Sequence, residues 1–234
     1  MRLAFVASQT IHHGGRDEAA RRHRLASAVA NRGHEVTYVT SKWWDSDFET
    51  FESDEITYHA VADGNALSTA VRIANAVREV NPDVVHAAGD DPTWAAGARL
   101  GATLSGAGLV LEWYEPPAPT GTIGGWVRRQ ALRSAGSVVV PSETVETAVR
   151  ELGVENDHVR VIPTGVDMGA IEDIDPATGG DIVFSRRLDE GANLETLLLA
   201  LAEFREYDWT ATIIGDGPRK RAYERQASDL RIDD

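Results

Sequence analysis

Seven short apolar runs punctuate the first 162 residues, at 2–7, 35–40, 56–60, 83–86, 109–113, 137–140 and 159–162. Several are almost uninterrupted, as strands buried on both faces of a parallel sheet must be. Segments of helical spacing lie between them. Residues 17–32 end at Gly33, a good residue to close a helix, with Leu25 and Val29 one turn apart. Leu67, Val71, Ala74 and Val77 form an apolar stripe, and further helices are predicted over 93–104, 123–134 and 143–152. Ser142 is the predicted N-cap of the last, turning Val145, Val149 and Leu152 inward. Strict alternation of strand and helix predicts a parallel sheet covered by helices.

The periodicity lapses after Asp167, where Asp, Gly and Pro176 collect, and a linker is placed at 171–180. It separates a first domain, 1–170, from a shorter unit, 181–234. In that unit 182–184 reads as a strand and Leu194, Leu197, Leu198, Leu201 and Phe204 as a helix stripe. A strand over 209–214 then runs into Gly215-Asp216-Gly217-Pro218, with Pro218 expected in the first turn of a helix. The expected class is α/β: a Rossmann-like doubly wound parallel sheet followed by part of a second.

Composition narrows the function. Hydrophobic residues make up 42% of the 234, enough for a core. A net charge of −14 argues against nucleic acid and against simple attraction to anionic lipid. No run approaches the ~20 apolar residues of a membrane span. The opening residues 1–7 read as a strand rather than an export signal, so a cytoplasmic protein is expected. With no cysteine, disulfides and thiolate chemistry are excluded. Only Lys42 and Lys220 among the 23 basic residues are lysines. Strong acidity with so little lysine suits a salt-rich cytoplasm, where screening blunts self-repulsion. A GC-rich genome would explain the missing lysine but not the acidity.

Candidate chemistry gathers where strands end. Gly14-Gly15 follows the first strand and opens a helix, whose free N–H groups suit an anion. This is not the dinucleotide fingerprint, and a plain turn is the competing reading. Arg186-Arg187 follows the first strand of the second unit, where open α/β sheets bind ligands, and an arginine fork there suits a diphosphate. Gly215 and Gly217 would admit a nucleotide or simply make a tight turn. His86, Glu112 and Glu115 close the fourth and fifth long strands, as a general base or as ion pairs. Asp45-Ser46-Asp47 matches a metal-holding pattern that chance supplies in so acidic a chain, and Trp43-Trp44 reads as a packed loop. Trp126, Arg128, Arg129 and Arg133 mark the one basic helix.

Taken in order, the pieces resemble glycosyltransferase family 4, the GT-B enzymes with two Rossmann-like domains. The matching residues are Gly14-Gly15, Arg32-Gly33-His34-Glu35-Val36, Asp83-Val84-Val85-His86, Val138-Val139-Val140-Pro141-Ser142 and Glu151-Leu152-Gly153-Val154. They continue with Val161-Ile162-Pro163-Thr164-Gly165-Val166-Asp167, Arg187-Leu188 and Ile214-Gly215-Asp216-Gly217-Pro218. The resemblance implies transfer of a sugar from a nucleotide-diphosphate donor to a glycan or lipid-linked acceptor. It implies no metal and no cofactor beyond that substrate, and leaves peripheral membrane contact open. Arg187 and Glu115 become the catalytic candidates; Gly15, Arg186, Arg187, Gly215 and Gly217 the donor side; Gly14, His86, Tyr114 and Ser142 the acceptor side. The sequence departs from the family pattern at Arg186, for a glycine; at Ala192, for a lysine; at Tyr114, for a histidine; and at Thr164, for an asparagine. The family's acidic donor motif would lie beyond Asp234, so a truncated, catalytically silent form or a nucleotide-sugar epimerase on the same fold stays open. If the acidic surface is a salt adaptation, the melting temperature rises from low to molar KCl; a flat series would remove that reading.

Overall fold

The computed structural model describes residues 1–14, 17–62, 64–114, 122–166, 168–175 and 182–233. Contacts divide the chain into Met1–Val166 and Asp167–Asp234.

The first unit is an eight-stranded sheet. Its strands are β1 (Arg2–Val6), β2 (Glu35–Thr40), β3 (Thr50–Ser53), β4 (Ile56–Ala60), β5 (Val84–Ala88), β6 (Gly108–Glu112), β7 (Ser137–Val140) and β8 (Val159–Val161). They run in the order β3-β4-β2-β1-β5-β6-β7-β8, all parallel except β3. Strand order therefore reverses between β1 and β5. At that point the connections diverge and a crevice opens at the strands' carboxyl ends.

Five helices cover this sheet: α1 (Asp17–Ala30), α2 (Ala66–Val80), α3 (Pro92–Ser105), α4 (Thr122–Ser134) and α5 (Glu143–Glu151). α2 to α5 bury Ile73, Val77, Ala98, Leu132 and Val149 against Val6, Val85, Leu111 and Val138. On the opposite face Ala26 and Ala30 of α1 pack over Phe5, Tyr38, Ile56 and Tyr58. No helix among the described residues is long and apolar enough to cross a membrane.

The doubly wound α/β expectation is borne out, with local corrections. β3 was not predicted. It is a largely exposed edge strand, joined to β4 by the two-residue turn Asp54-Glu55, both at positive φ. Such turns normally announce themselves by Asn-Gly or Asp-Gly, and an exposed edge carries no apolar alternation. Leu67 and Val71 of the expected α2 stripe are exposed; the buried face is Thr69, Ile73, Ala74, Ala76 and Val77. Leu25 is exposed as well, because α1 buries Ala19, Arg22, Ala26 and Ala30.

The second unit contains α6 (Met168–Glu172), the parallel pair β9 (Ile182–Ser185) and β10 (Ala211–Ile214), α7 (Leu194–Glu203) and α8 (Lys220–Leu230). Leu188, Leu194, Leu198 and Tyr223 form its core, with Phe184 and Ile213 against them. Phe204, the last member of the predicted stripe, falls past the end of α7 and is exposed. α8 begins at Lys220, so Pro218 belongs to the turn before it rather than to its first turn. Val183 and Ile214 point away from the helices and are exposed. Two strands with one bare face are marginal alone. Amide exchange is therefore expected to be at least about tenfold faster in β9 and β10 than in β1 and β5. Equal protection in both units would contradict that expectation.

Candidate functional site

A buried carboxylate organises the carboxyl edge of the first sheet. Glu112, the last residue of β6, is 2% exposed, a burial that an ionised group tolerates only with charged partners. Arg21 Nε approaches Glu112 Oε1 at 2.5 Å, Arg22 Nη1 lies 3.7 Å from Oε2, and His86 Nε2 lies 3.5 Å from the same oxygen. Burial alone would raise the Glu112 pKa, but contact with His86, then Arg22 and Arg21, holds it below the usual carboxylate value. Burial opposes the charge on Arg22, yet Tyr38 and Glu112 outweigh it and raise that pKa. Burial pushes the Tyr38 hydroxyl up, so it stays protonated.

Arg22 reaches this position because it shares α1's buried face with Ala19, Ala26 and Ala30. Small neighbours leave room for a long side chain to lie along the sheet. Arg21 Nη1 also reaches the Thr164 hydroxyl at 3.5 Å, drawing the segment after β8 toward α1. The network is under-satisfied: Arg22 Nε, the Tyr38 hydroxyl, His86 Nε2 and Glu112 Oε2 are buried without a well-formed hydrogen bond among the described residues. Such atoms are uncommon in a purely structural core.

Beside Arg22 lies a cavity of about 350 Å3, at the β1/β5 reversal, bordered by Ser8, Gln9, Glu18, Asp90 and Trp94. Asp91 and Pro92 also line it, and Asp91 caps α3 by accepting from the Thr93 and Trp94 amides at 2.8 and 3.3 Å. Carboxylates accept and a guanidinium donates, so the wall offers both halves of the hydrogen-bonding needed by a polyhydroxylated ligand. The preceding loop is fixed by a capping box between Thr10 and His13, and by His12 stacked on Trp43 at 3.9 Å. Trp43 is thus packed in the loop, with Phe51 and Tyr58 edge-on to it.

The other predicted acceptor-side residues spread along this edge. Gly14 adopts φ +98° where the loop turns toward α1, which accounts for glycine there. His86 is buried under α1 and stacked on Phe5 at 5.0 Å. Tyr114 follows β6, half-buried, and Ser142 caps α5 by accepting from the Val145 amide. Gly15 and Glu115 lie outside the described residues.

In the second unit the predicted donor residues come together. The Arg186 amide donates to Ile214 O, Leu188 N to Asp216 O and Arg219 N to Leu188 O, so two strand-end loops continue the β9–β10 ladder. A Cβ on Gly215 would sit 2.1 Å from Arg186 O, and one on Gly217 2.3 Å from Leu188 O. These glycines permit loop-to-loop contact. The Arg187 side chain is 74% exposed and, among the described residues, is paired only with Asp189 at 3.7 Å, which leaves its guanidinium available to an anion. Ala192, where the family pattern has lysine, is buried in the apolar core.

Residues 22–169 match Glycosyltransferase Family 4. The chain belongs to that family. Solved structures similar to this member include a glycosyltransferase from Rickettsia africae, 15% identical, with a TM-score of 0.77 over 99% of this chain and 65% of that one. HepE from Anabaena in complex with UDP is 16% identical, at 0.74 over 99% and 67%. Sucrose-phosphate synthase from Thermosynechococcus elongatus is 16% identical, at 0.68 over 99% and 68%. At such identities these likenesses speak for the fold, and the family 4 chain spans about two thirds of their length. A comparison with curated proteins finds no match.

Sequence reasoning missed Arg21, Arg22, Tyr38 and the cavity wall. The available signal was Arg22 itself, a charge at a core position of the Ala19, Ala26, Ala30 spacing. Replacing Glu112 with Gln leaves two guanidiniums facing a neutral amide, and is expected to cost about 3–5 kcal/mol by chemical denaturation. The wild-type contribution of Glu112 is complete above its unfolded pKa, near 4.5, and is lost as pH falls through its lower folded value. Glu112→Gln should lack that acid-side loss; a variant as stable and as acid-sensitive as wild type would contradict the assignment.

Proposed function

We propose that this family 4 protein transfers a sugar from a nucleotide-diphosphate sugar to a hydroxyl of a glycan or lipid-linked acceptor, without a metal ion. The observation that carries the reading is the cavity at the β1/β5 reversal, walled by carboxylates and the buried Arg22, with Arg22, Asp90, Asp91 and Trp94 of its wall inside the matched family region. Its mixed donors and acceptors suit a polyol. HepE, a structural neighbour, has been solved with UDP and with UDP-glucose, which supports a UDP-sugar as the first donor to try.

In the transfer, the bond between the anomeric carbon and the diphosphate oxygen breaks and the electron pair leaves with the nucleoside diphosphate. The acceptor oxygen bonds that carbon and its proton passes to a carboxylate, for which Glu115 is the candidate. Arg187 would neutralise the leaving diphosphate, a charge that develops as the bond breaks. A chain without cysteine and with a net charge of −14 fits a salt-rich cytosol.

A second reading rests on Ala192: one cation of the family pattern is replaced by a core residue, favouring a protein that binds acceptor without transferring. Release of nucleoside diphosphate from UDP- and GDP-sugars, measured with and without EDTA, separates the two. Transfer predicts EDTA-resistant turnover that Arg187→Ala lowers about 100-fold or more. Turnover indifferent to Arg187→Ala would remove that residue's role, and acceptor binding with no release would leave the second reading.

A further inference from the structure

The cavity beside Arg22 has an unbalanced wall. Glu18, Asp90 and Asp91 border it, and Arg22 is the one cationic residue among the described residues that line it. That guanidinium already faces Glu112, with Nη1 3.7 Å from Oε2. Its Nε, by contrast, is buried without a hydrogen-bond partner among the described residues. Arg22 as a whole is only 5% exposed, so bulk water does not serve this donor.

Two helix ends also meet here. α1 contributes Glu18 and Ala19 of its first turn, and α3 contributes Pro92 and Trp94 of its own. The free amides of a helix N-terminus ordinarily attract phosphate or carboxylate. At α3 they are answered by Asp91, which accepts from Thr93 and Trp94, and the first turn of α1 carries Asp17 and Glu18. An anionic ligand therefore meets carboxylates at both helix ends. A neutral polyol satisfies Arg22 but leaves the surplus negative charge unanswered.

We propose that the cavity takes an amine-bearing polyol, an amino sugar or aminocyclitol, with a hydroxyl accepting from Arg22 and an ammonium among Glu18, Asp90 and Asp91. An ammonium donates three hydrogen bonds and accepts none, the complement of a carboxylate wall. The volume, about 350 Å3, is at the small end for ligand pockets and suits a ring rather than a long chain. The same wall disfavours an acceptor whose phosphate lies at this end. The inference narrows the acceptor of the proposed transfer and rests on that reading for the cavity's role, but the binding it predicts needs neither donor nor turnover.

Glucosamine, N-acetylglucosamine, glucose and glucose 6-phosphate are titrated into the full chain in about 0.15 M salt, with dissociation constants read from protein amide shifts. Glucosamine should bind roughly tenfold more tightly than glucose or N-acetylglucosamine, the size of one charge-assisted hydrogen bond. Glucose 6-phosphate should bind most weakly, and the shifts should centre on Ser8 and Trp94. Asp90→Asn, at an exposed position, should remove most of the preference for glucosamine, as should Glu18→Gln. Glu52→Gln, which removes the same charge from exposed β3, should keep it. Unchanged melting confirms that each variant folds. Equal affinity for glucose and glucosamine would overturn the proposal while leaving a polyol site intact. So would a preference that survives both cavity variants, which would put the ammonium elsewhere on an acidic surface. Displacement of glucosamine by manganese would assign the carboxylates to a metal instead. Binding of none of the four sugars would remove the cavity from the transfer reading as well, which release of nucleoside diphosphate tests separately.

Discussion

The ionised carboxylate of Glu112 is the constraint around which the first unit is built. A charge at 2% exposure must be answered, and the answers come from different parts of the chain: Arg21 and Arg22 on α1, and His86 on β5. α1 is thereby fastened to the carboxyl end of the sheet by electrostatics as well as by apolar contact. Through Arg21 the same fastening reaches Thr164, the residue that replaces asparagine in the family's junction motif. The cavity inherits its shape from this arrangement, because Arg22 is at once a partner of Glu112 and part of the cavity wall.

The second unit reaches a strand-end site by different means. Its two loops are joined by backbone hydrogen bonds that continue the β9–β10 ladder, and glycine is needed because a side chain would collide with the opposing carbonyl. The loops hold each other, and the Arg187 guanidinium is left to solvent.

Most of the sheet was legible because both of its faces are buried: β2, β4 and β7 span the predicted residues. Legibility failed where burial is partial. β3 lies at the exposed edge and turns through Asp54-Glu55, a pair without the glycine that marks such turns. α1 hid its true face because small residues pack inward while Leu25 looks outward; in α2, Ala74 and Val77 of the predicted stripe are buried beside Ile73, and only Leu67 and Val71 look outward. Hydrophobic spacing assigns the large side chain to the core, but a helix lying close to a sheet needs alanine there. The site was read by halves. Strand-end glycines, arginines and carboxylates mark themselves by position, whereas the pairing of Glu112 with Arg21 is long-range in sequence and nothing local announces it. Arg22 was visible only as an anomaly, a charge among alanines.

That anomaly has a mechanical consequence. A helix that rests on alanines alone has a smooth underside, and sliding it along its axis by one residue, about 1.5 Å, changes little in the apolar contact. Arg22 removes that freedom. Its guanidinium is indexed against a fixed carboxylate, and displacement of α1 in either direction separates opposite charges where water cannot compensate. The arginine works as a detent: besides helping to hold α1, it fixes where along the sheet the helix stops.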